Sequence, residues 1–410
     1  MPNNSYSQTI DWLFTQFPSY QNIGASAYKP SLDNCLKLAE LFGNPQNYLK
    51  IIHIAGTNGK GSTSSMLASI LTESKLKVGL FTSPHIIDYT ERIRINGKTI
   101  TEEFVINFCD KIKLLDIQFE PSFFEITWIM ALVYFKEQNC QICVIETGLG
   151  GRLDATNIVN PLLTIITNIG LEHTNFLGDT LAMIASEKAG IIKKNIPVII
   201  GSYNQETLPV FKEIANKNES DIILVNKQEI NETPTNFPLI GTYQIQNYKT
   251  VLKAIENLNQ QGFTISQDNI NSGLSNLSKN TGFFGRLQIV NRLPLTIIDV
   301  SHNYDGIKAT LESIKDINKG KLHIIYGTSA DKDLKSIFSL FDKNNRYYFT
   351  EFQNERSAKL EDLKSNSNQK QLKSLFFKNL NNALNTAQNT VNENDTILIF
   401  GSFFLISDYF

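Results

Sequence analysis

Short, densely apolar runs rich in β-branched residues recur along this chain, and longer stretches with apolar residues every three or four positions separate them. The first series of runs covers 50–55, 78–82, 142–146, 163–168 and 197–200. Runs this short and apolar on both faces are the mark of strands buried within a parallel sheet. The intervening stretches 62–74, 102–115 and 127–136 carry the helical period. Together they give the βαβ rhythm of a mostly parallel sheet covered by helices. A second series follows at 295–299, 322–326, 346–350 and 396–400, with helical stretches at 306–315 and 380–390. The stretch 221–244 departs from both, its short runs broken by polar residues and two prolines. It reads either as a small β-rich piece or as an extended connection. The expected organisation is two α/β domains, 1–288 and 289–410, with the boundary near 288–294. Asn-rich tracts at 365–369 and 381–394 read as surface loops and solvated helix faces.

The end of the first run carries the sharpest chemistry. Gly56, Thr57, Asn58, Gly59, Lys60, Gly61 and Ser62 follow a β-branched strand and open a helix. Such a turn points successive backbone N–H groups into one concavity at a helix N-terminus, where phosphate fits and a lysine adds a point charge. The spacing differs from the common G-x-x-x-x-G-K-[ST] loop. Gly56 lies only three residues before Gly59, and Gly61 separates Lys60 from Ser62.

Other strand ends offer hard ligands. Ser83 follows 78–82, Glu146 closes 142–146, and His173 comes shortly after 163–168. Magnesium needs few protein ligands beside nucleotide phosphates, and ligands of open α/β sheets collect at the carboxyl ends of strands. If these strands are parallel neighbours, four such ends meet at one edge. The competing readings are a turn serine before Pro84, a solvated strand end and an exposed loop histidine; imidazole is also the less usual magnesium ligand. Ser122, Phe123, Phe124 and Glu125 offer aromatic surface and one carboxylate for a flat polar ring, and equally read as a helix entry with a capping box. Arg286 suits a phosphate, or is a surface cation. Asp299 and His302 end the first run of the second series, where Asn303 can cap the next helix.

Composition narrows the class. The chain has 410 residues, 41% hydrophobic and 19% charged, with a formal net charge of −2. That describes a globular protein with ample core and no basic field for nucleic acid. No apolar run approaches the roughly 20 residues that span a bilayer, and residues 1–8 lack the charged and apolar regions of a signal peptide. A cytoplasmic location is expected. Cys140 and Cys143 form a CxxC without a second pair or matching histidines, and strand alternation is expected to send them to opposite faces.

The string GTNGKGS at 56–62 resembles the phosphate loop of folylpolyglutamate synthases and dihydrofolate synthases, ATP-dependent amide-forming enzymes of the Mur ligase superfamily. The resemblance runs from Leu32 to Asp408. Its densest blocks are TSPH (82–85), ETGLGGRLDATN (146–157), EKAGI (187–191), GRL (285–287), DVSHN (299–303) and ADKD (330–333). It implies a Mur-ligase-like α/β fold, with a P-loop domain of mostly parallel sheet and a smaller Rossmann-like C-terminal domain, and ATP in the cleft between the two. It implies ATP contacts from the loop residues 56–62 and from Asn247, Arg286, Asp299 and His302, the last near the phosphates. It implies two Mg²⁺ ions served by Ser83, Glu146 and His173, and a carbamylated Lys188. Ser122, Phe123, Phe124 and Glu125 would line the pteroate site with Leu153, Asp154 and Ala155. The string RLDATN is similar to that of bacterial members that also make dihydrofolate. The implied activity is ATP-dependent ligation of L-glutamate to 7,8-dihydropteroate and to reduced folates through an acyl phosphate. No nucleic acid or membrane partner is expected, and the protein is expected to be a monomer. The alternatives are a monofunctional folylpolyglutamate synthase, another Mur-type amide ligase, and a nucleotide-gated binding protein. Two departures from the family pattern, Phe284 and Tyr304, stand where proline is common.

Overall fold

The apolar runs form strands, and their order in the sheets differs from their order in the chain. The computed structural model describes residues 5–18, 30–226 and 237–410. They fall into two compact units: Met1–Pro238 with Gln244–Phe283, and Leu239–Tyr243 with Phe284–Phe410.

In the first unit the strands are β1 (Ile51–Ala55), β2 (Val78–Phe81), β3 (Ile93–Ile95), β4 (Lys98–Thr99), β5 (Ile142–Glu146), β6 (Leu163–Ile166), β7 (Val198–Ile200) and β8 (Ile222–Leu224). Their spatial order is β4-β3-β2-β5-β1-β6-β7-β8. From β2 to β8 all neighbours pair in parallel. Every residue of β1 and β5 is buried, which is why both read as unbroken apolar runs. Helix Lys60–Glu73 leaves β1 directly and is buried from Ser62 to Leu71. Helix Phe123–Glu137 begins at the forecast capping box: the Ser122 hydroxyl accepts from Glu125 N–H at 3.2 Å, and Glu125 Oε2 accepts from Ser122 N–H at 2.6 Å.

Three features depart from the sequence reading. β3 and β4 form an antiparallel hairpin on the β2 edge, turning at Asn96 (φ 47°) and Gly97 (φ 83°). Part of 221–244 belongs to regular elements: β8 is a parallel edge strand and a helix starts at Tyr243, while 227–236 lies outside the described residues. Cys140 precedes β5 and escapes strand alternation, so its thiol sits against that of Cys143. Burial and this neighbour push the Cys143 pKa up.

The second unit holds β9 (Gln288–Arg292), β10 (Leu295–Asp299), β11 (Leu322–Tyr326), β12 (Arg346–Thr350), β13 (Lys373–Phe377) and β14 (Thr396–Phe400), in the order β13-β12-β11-β14-β10-β9. All pairs are parallel except β9 with β10. Tyr326 centres an aromatic core with Phe338, Phe341, Phe349 and Phe400. Asn303 caps helix Tyr304–Lys315 by accepting from Gly306 N–H at 2.8 Å.

Candidate active site

Strand order decides what meets at the sheet edge. β2, β5, β1 and β6 are adjacent and parallel, so the ends that carry Ser83, Glu146, the glycine loop and the approach to His173 share one edge. The loop is tied to the end of β6. Thr57 N–H donates to Asn168 O at 2.9 Å, Asn58 N–H to Asn168 Oδ1 at 2.8 Å, and Thr167 Oγ1 donates to Asn58 O at 2.7 Å. Gly56 needs its missing side chain: its φ is 151°, and a Cβ there would fall 1.9 Å from Thr167 Oγ1. Gly59 (φ 82°) packs on Asn247, whose Oδ1 would be 2.4 Å from an added Cβ. Asn247 donates to Gln244 Oε1 at 2.9 Å, and Gln244 donates to Ser62 Oγ at 3.2 Å. Asn247 therefore packs on the glycine loop despite its distance along the chain.

Lys60 Nζ donates to Gly56 O at 3.0 Å and Thr57 O at 3.2 Å. Lys188 Nζ donates to the same Gly56 O at 3.0 Å. Lys188 is only 4% exposed. Burial first, and the Lys60 charge second, pull its pKa down to about 7, against raising contributions from Glu172 and Asp154.

Ser83 and Glu146 are in contact, Ser83 N–H donating to Glu146 Oε2 at 3.3 Å. Glu146 is 4% exposed. His173 sits at the turn after β6 with φ 53°, at the start of helix Thr174–Leu177. Among the described residues no three His, Cys, Asp or Glu side chains gather as a metal cluster. Ser83 and Glu146, joined through the Ser83 backbone N–H, nonetheless bring a hydroxyl and a carboxylate, hard oxygen donors of the kind magnesium takes beside phosphates.

The glycine turn after Glu146 packs against two other blocks. A Cβ at Gly148 would fall 2.6 Å from the Phe124 ring, and one at Gly151 would fall 2.7 Å from Lys188 O. Arg152 pairs with Glu187 at 2.8 Å, and Asn157 Nδ2 donates to Arg152 O and Gly190 O, each at 3.0 Å. Asp154 is buried and caps the turn at Ala155–Ile158, accepting from Thr156 N–H at 3.0 Å, from the Thr156 hydroxyl and from Leu149 N–H at 2.7 Å. Leu153 stands beside it in the same loop, and Ala155 O accepts from Cys35 Sγ at 3.3 Å. Glu125 is held in its capping box. Phe123 is buried against Phe14, with the Arg92 guanidinium 5.2 Å above its ring. Of the aromatic pair it is Phe124 that meets the glycine turn.

In the second unit Arg286 and His302 converge on one ring. The Arg286 guanidinium lies 5.2 Å from the Phe403 centroid, and the His302 ring meets Phe403 edge-on at 5.7 Å. His302 Nδ1 is 3.0 Å from Val300 O. Asp299 is buried at the end of β10, accepting from Leu287 N–H at 2.8 Å, Ser301 N–H at 2.7 Å and the Thr310 hydroxyl at 3.1 Å. It holds the GRL turn, in which Gly285 and Leu287 both have positive φ.

Several residues of these sites escaped the sequence reading. Phe403 is one; an aromatic after Gly401-Ser402 carries no signal by itself. Thr167, Asn168 and Gln244 brace the glycine loop from distant segments, which no local pattern reveals. Arg92 is fully buried, its Nε donating to His85 Nδ1 at 2.8 Å, and burial lowers its pKa to about 10. A cation inside the apolar alternation of 92–95 was the available clue.

Two family models match the chain: the Mur ligase middle domain over 54–238 and the Mur ligase glutamate ligase domain over 285–403. A dihydrofolate synthase/folylpolyglutamate synthase of Bacillus subtilis is 33% identical over 411 aligned residues, covering 93% of this chain and 94% of the relative. FolC of E. coli, solved with DHPP and ADP, superposes with a TM-score of 0.85 at 26% identity, covering 99% of this chain and 97% of that one. A bifunctional folylpolyglutamate synthase/dihydrofolate synthase solved with Mn, AMPPNP and L-glutamate superposes with a TM-score of 0.85 at 25% identity, covering 99% and 97%.

Proposed function

This chain belongs to the dihydrofolate synthase/folylpolyglutamate synthase family of Mur ligases, and we propose that it carries both of the family's glutamate ligations on one set of acyl-activating residues. It is an ATP-dependent ligase of L-glutamate onto folate-type acceptors. The observation that carries the site assignment is the contact of Ser83 with Glu146 at the ends of adjacent strands β2 and β5, next to the glycine loop at the end of β1.

The acceptor carboxylate attacks the γ-phosphorus of ATP. The bond to the β,γ-bridging oxygen breaks and ADP leaves, giving an acyl phosphate. The amine of L-glutamate then attacks the acyl carbon. The C–O bond to phosphate breaks, an amine proton is lost, and an amide and inorganic phosphate remain. No protein nucleophile is required. The backbone N–H groups of Gly56 to Ser62 hold the phosphates, and Lys60 supplies positive charge where the γ-phosphoryl group transfers. Asn247 shapes that loop through Gly59 and Gln244. Ser83, Glu146 and His173 would hold Mg²⁺, which supplies charge neutralisation at the phosphoryl oxygens. A pKa near 7 leaves much of Lys188 as the free amine at neutral pH, the form that adds carbon dioxide and loses a proton to become a carbamate anion. Phe124, with the turn at Gly148 and the segment Leu153 to Ala155, lines the acceptor site, supported by Ser122, Phe123 and Glu125. Arg286, His302 and Asp299 serve the nucleotide side, Arg286 by its phosphate-matching fork and Asp299 by holding the turn that carries Arg286. We assign the enzyme to the cytoplasm, where four free buried cysteines stay reduced. Among the described residues no helix is long and apolar enough to cross a membrane.

The test is ADP release with 7,8-dihydropteroate or tetrahydrofolate, each with and without L-glutamate. Glutamate-dependent release is expected with both, and Lys60→Ala should abolish it in a folded protein. A nucleotide-gated binding protein would release no ADP under any of these conditions.

A further inference from the structure

His53 lies on β1, three residues before Gly56, and no step above uses it. It is completely buried. Its Nε2 is 2.8 Å from Thr156 Oγ1. Thr156 has one hydroxyl proton and donates it to Asp154 Oδ1. The Asp154 carboxylate also accepts the N–H groups of Thr156 and Leu149, so it is set up as an acceptor throughout. Thr156 Oγ1 must then accept from His53, and the imidazole proton sits on Nε2. Nδ1 is left as a buried acceptor without a partner. An orphan of this kind costs stability, and a leucine in the same strand would avoid the cost. The polar chain nevertheless continues to the turn that packs on Phe124, where a Cβ at Gly148 would lie 2.6 Å from the ring.

We propose that His53 is a positioning residue for the acceptor: it orients the Thr156 hydroxyl, which orients Asp154, which holds the turn beginning at Gly148 beneath Phe124. The proposal rests on the reading above that Phe124 and this turn line the acceptor site. A residue kept only for packing would lose stability and activity together when replaced by leucine. A residue kept for positioning at a stability cost would, on the same replacement, lose acceptor affinity without losing stability.

The experiment compares His53→Leu, His53→Gln, Thr156→Val, Thr156→Ser and Phe124→Ala in the full chain, using 7,8-dihydropteroate and tetrahydrofolate as acceptors. His53→Leu should unfold no earlier than the parent. Its KM for the acceptor should rise about two- to tenfold, the scale of one lost hydrogen bond, with KM for ATP unchanged. Thr156→Val should act in the same direction. His53→Gln, which keeps a donor near the Nε2 position, and Thr156→Ser should restore most of the loss. Nitrogen-15 NMR of the parent should show His53 as the Nε2–H tautomer. An Nδ1–H tautomer, an unchanged acceptor KM in His53→Leu, or equal losses for ATP and acceptor with earlier unfolding would each overturn the proposal. If Phe124→Ala also leaves the acceptor KM unchanged, the acceptor-site reading falls with it. If Phe124→Ala raises that KM and His53→Leu does not, only the role of His53 falls.

Discussion

Two lysines donate to the single carbonyl oxygen of Gly56, and one of them, Lys188, is buried with its pKa pulled down to about 7. The sign of the effect follows from the cause. Burial and the Lys60 charge disfavour the ammonium, so the reactive free amine becomes the major form as pH rises through about 7, where an ordinary lysine is still protonated. At constant dissolved carbon dioxide, a ¹³C-carbamate resonance should appear already at neutral pH, where an ordinary protonated lysine gives little, and be missing from Lys188→Arg. A signal that waits for the pH range of surface lysines would remove Lys188 from this role. Glu146 offers a second residue-level test. Glu146→Gln keeps the shape and loses the charge, so the Mg²⁺ concentration for half-maximal rate should rise at least about tenfold, the scale of losing even an outer-shell partner of a metal. An unchanged Mg²⁺ titration would take Glu146 out of the metal shell. The residues legible in the sequence are those whose chemistry is announced by a neighbourhood, such as Lys60 among glycines or Glu146 before Gly148. His53 and Phe403 act through distant partners, Thr156 in one case and Arg286 with His302 in the other, and nothing adjacent to them in the chain marks this.

At the scale of elements, burial decides what could be read. β1, β5, β11 and β14 are buried along their whole length, and they stood out as apolar runs. β13 is half exposed and begins at Lys373, and β9 ends in two exposed residues. Edge strands need only one apolar face, so both passed unread. The hairpin of β3 and β4 had its signal in the Asn96-Gly97 dipeptide, which the helical rhythm around it obscured. Helix contacts were not legible at all. Gly273, in helix Gln267–Ser275, lies so close to helix Lys60–Glu73 that an added Cβ would be 2.5 Å from Ile70 Cα. Alanine normally stabilises a helix interior over glycine by about 1 kcal/mol. Here the two helices would have to part, and Gly273→Ala should instead cost about 1–3 kcal/mol, read as a lower denaturation midpoint. A gain in stability would show that the helices can separate freely. Because helix Lys60–Glu73 carries the phosphate loop at its N-terminus, the same variant should weaken ATP binding.

At the scale of the whole molecule, the proposed function asks one chain to serve two acceptors that differ by a glutamate. Both present a carboxylate to ATP and both end in the same amide-forming step, so the groups around the phosphates have one task in either reaction. On the acceptor site proposed above, the acceptor body is held elsewhere, by Phe124 and the turn at Gly148. These two sets of residues come from different strand ends of the first unit, the glycine loop from β1 and the acceptor turn from β5. The separation allows a test in which the two reactions are compared within one protein. Glu146→Gln should lower glutamate-dependent ADP release with 7,8-dihydropteroate and with tetrahydrofolate by the same factor, since the phosphoryl group cannot register which acceptor receives it. Phe124→Ala should affect the two unequally. The added glutamate lengthens the arm, so the ring cannot rest at the same distance from the phosphates in both complexes. Unequal losses in Glu146→Gln would mean that each acceptor has its own activating residues. Release with tetrahydrofolate alone would make this chain a folylpolyglutamate synthase without the dihydrofolate step, and the RLDATN block would then mark a structural loop shared across the family, held as observed by Asp154 and Asn157.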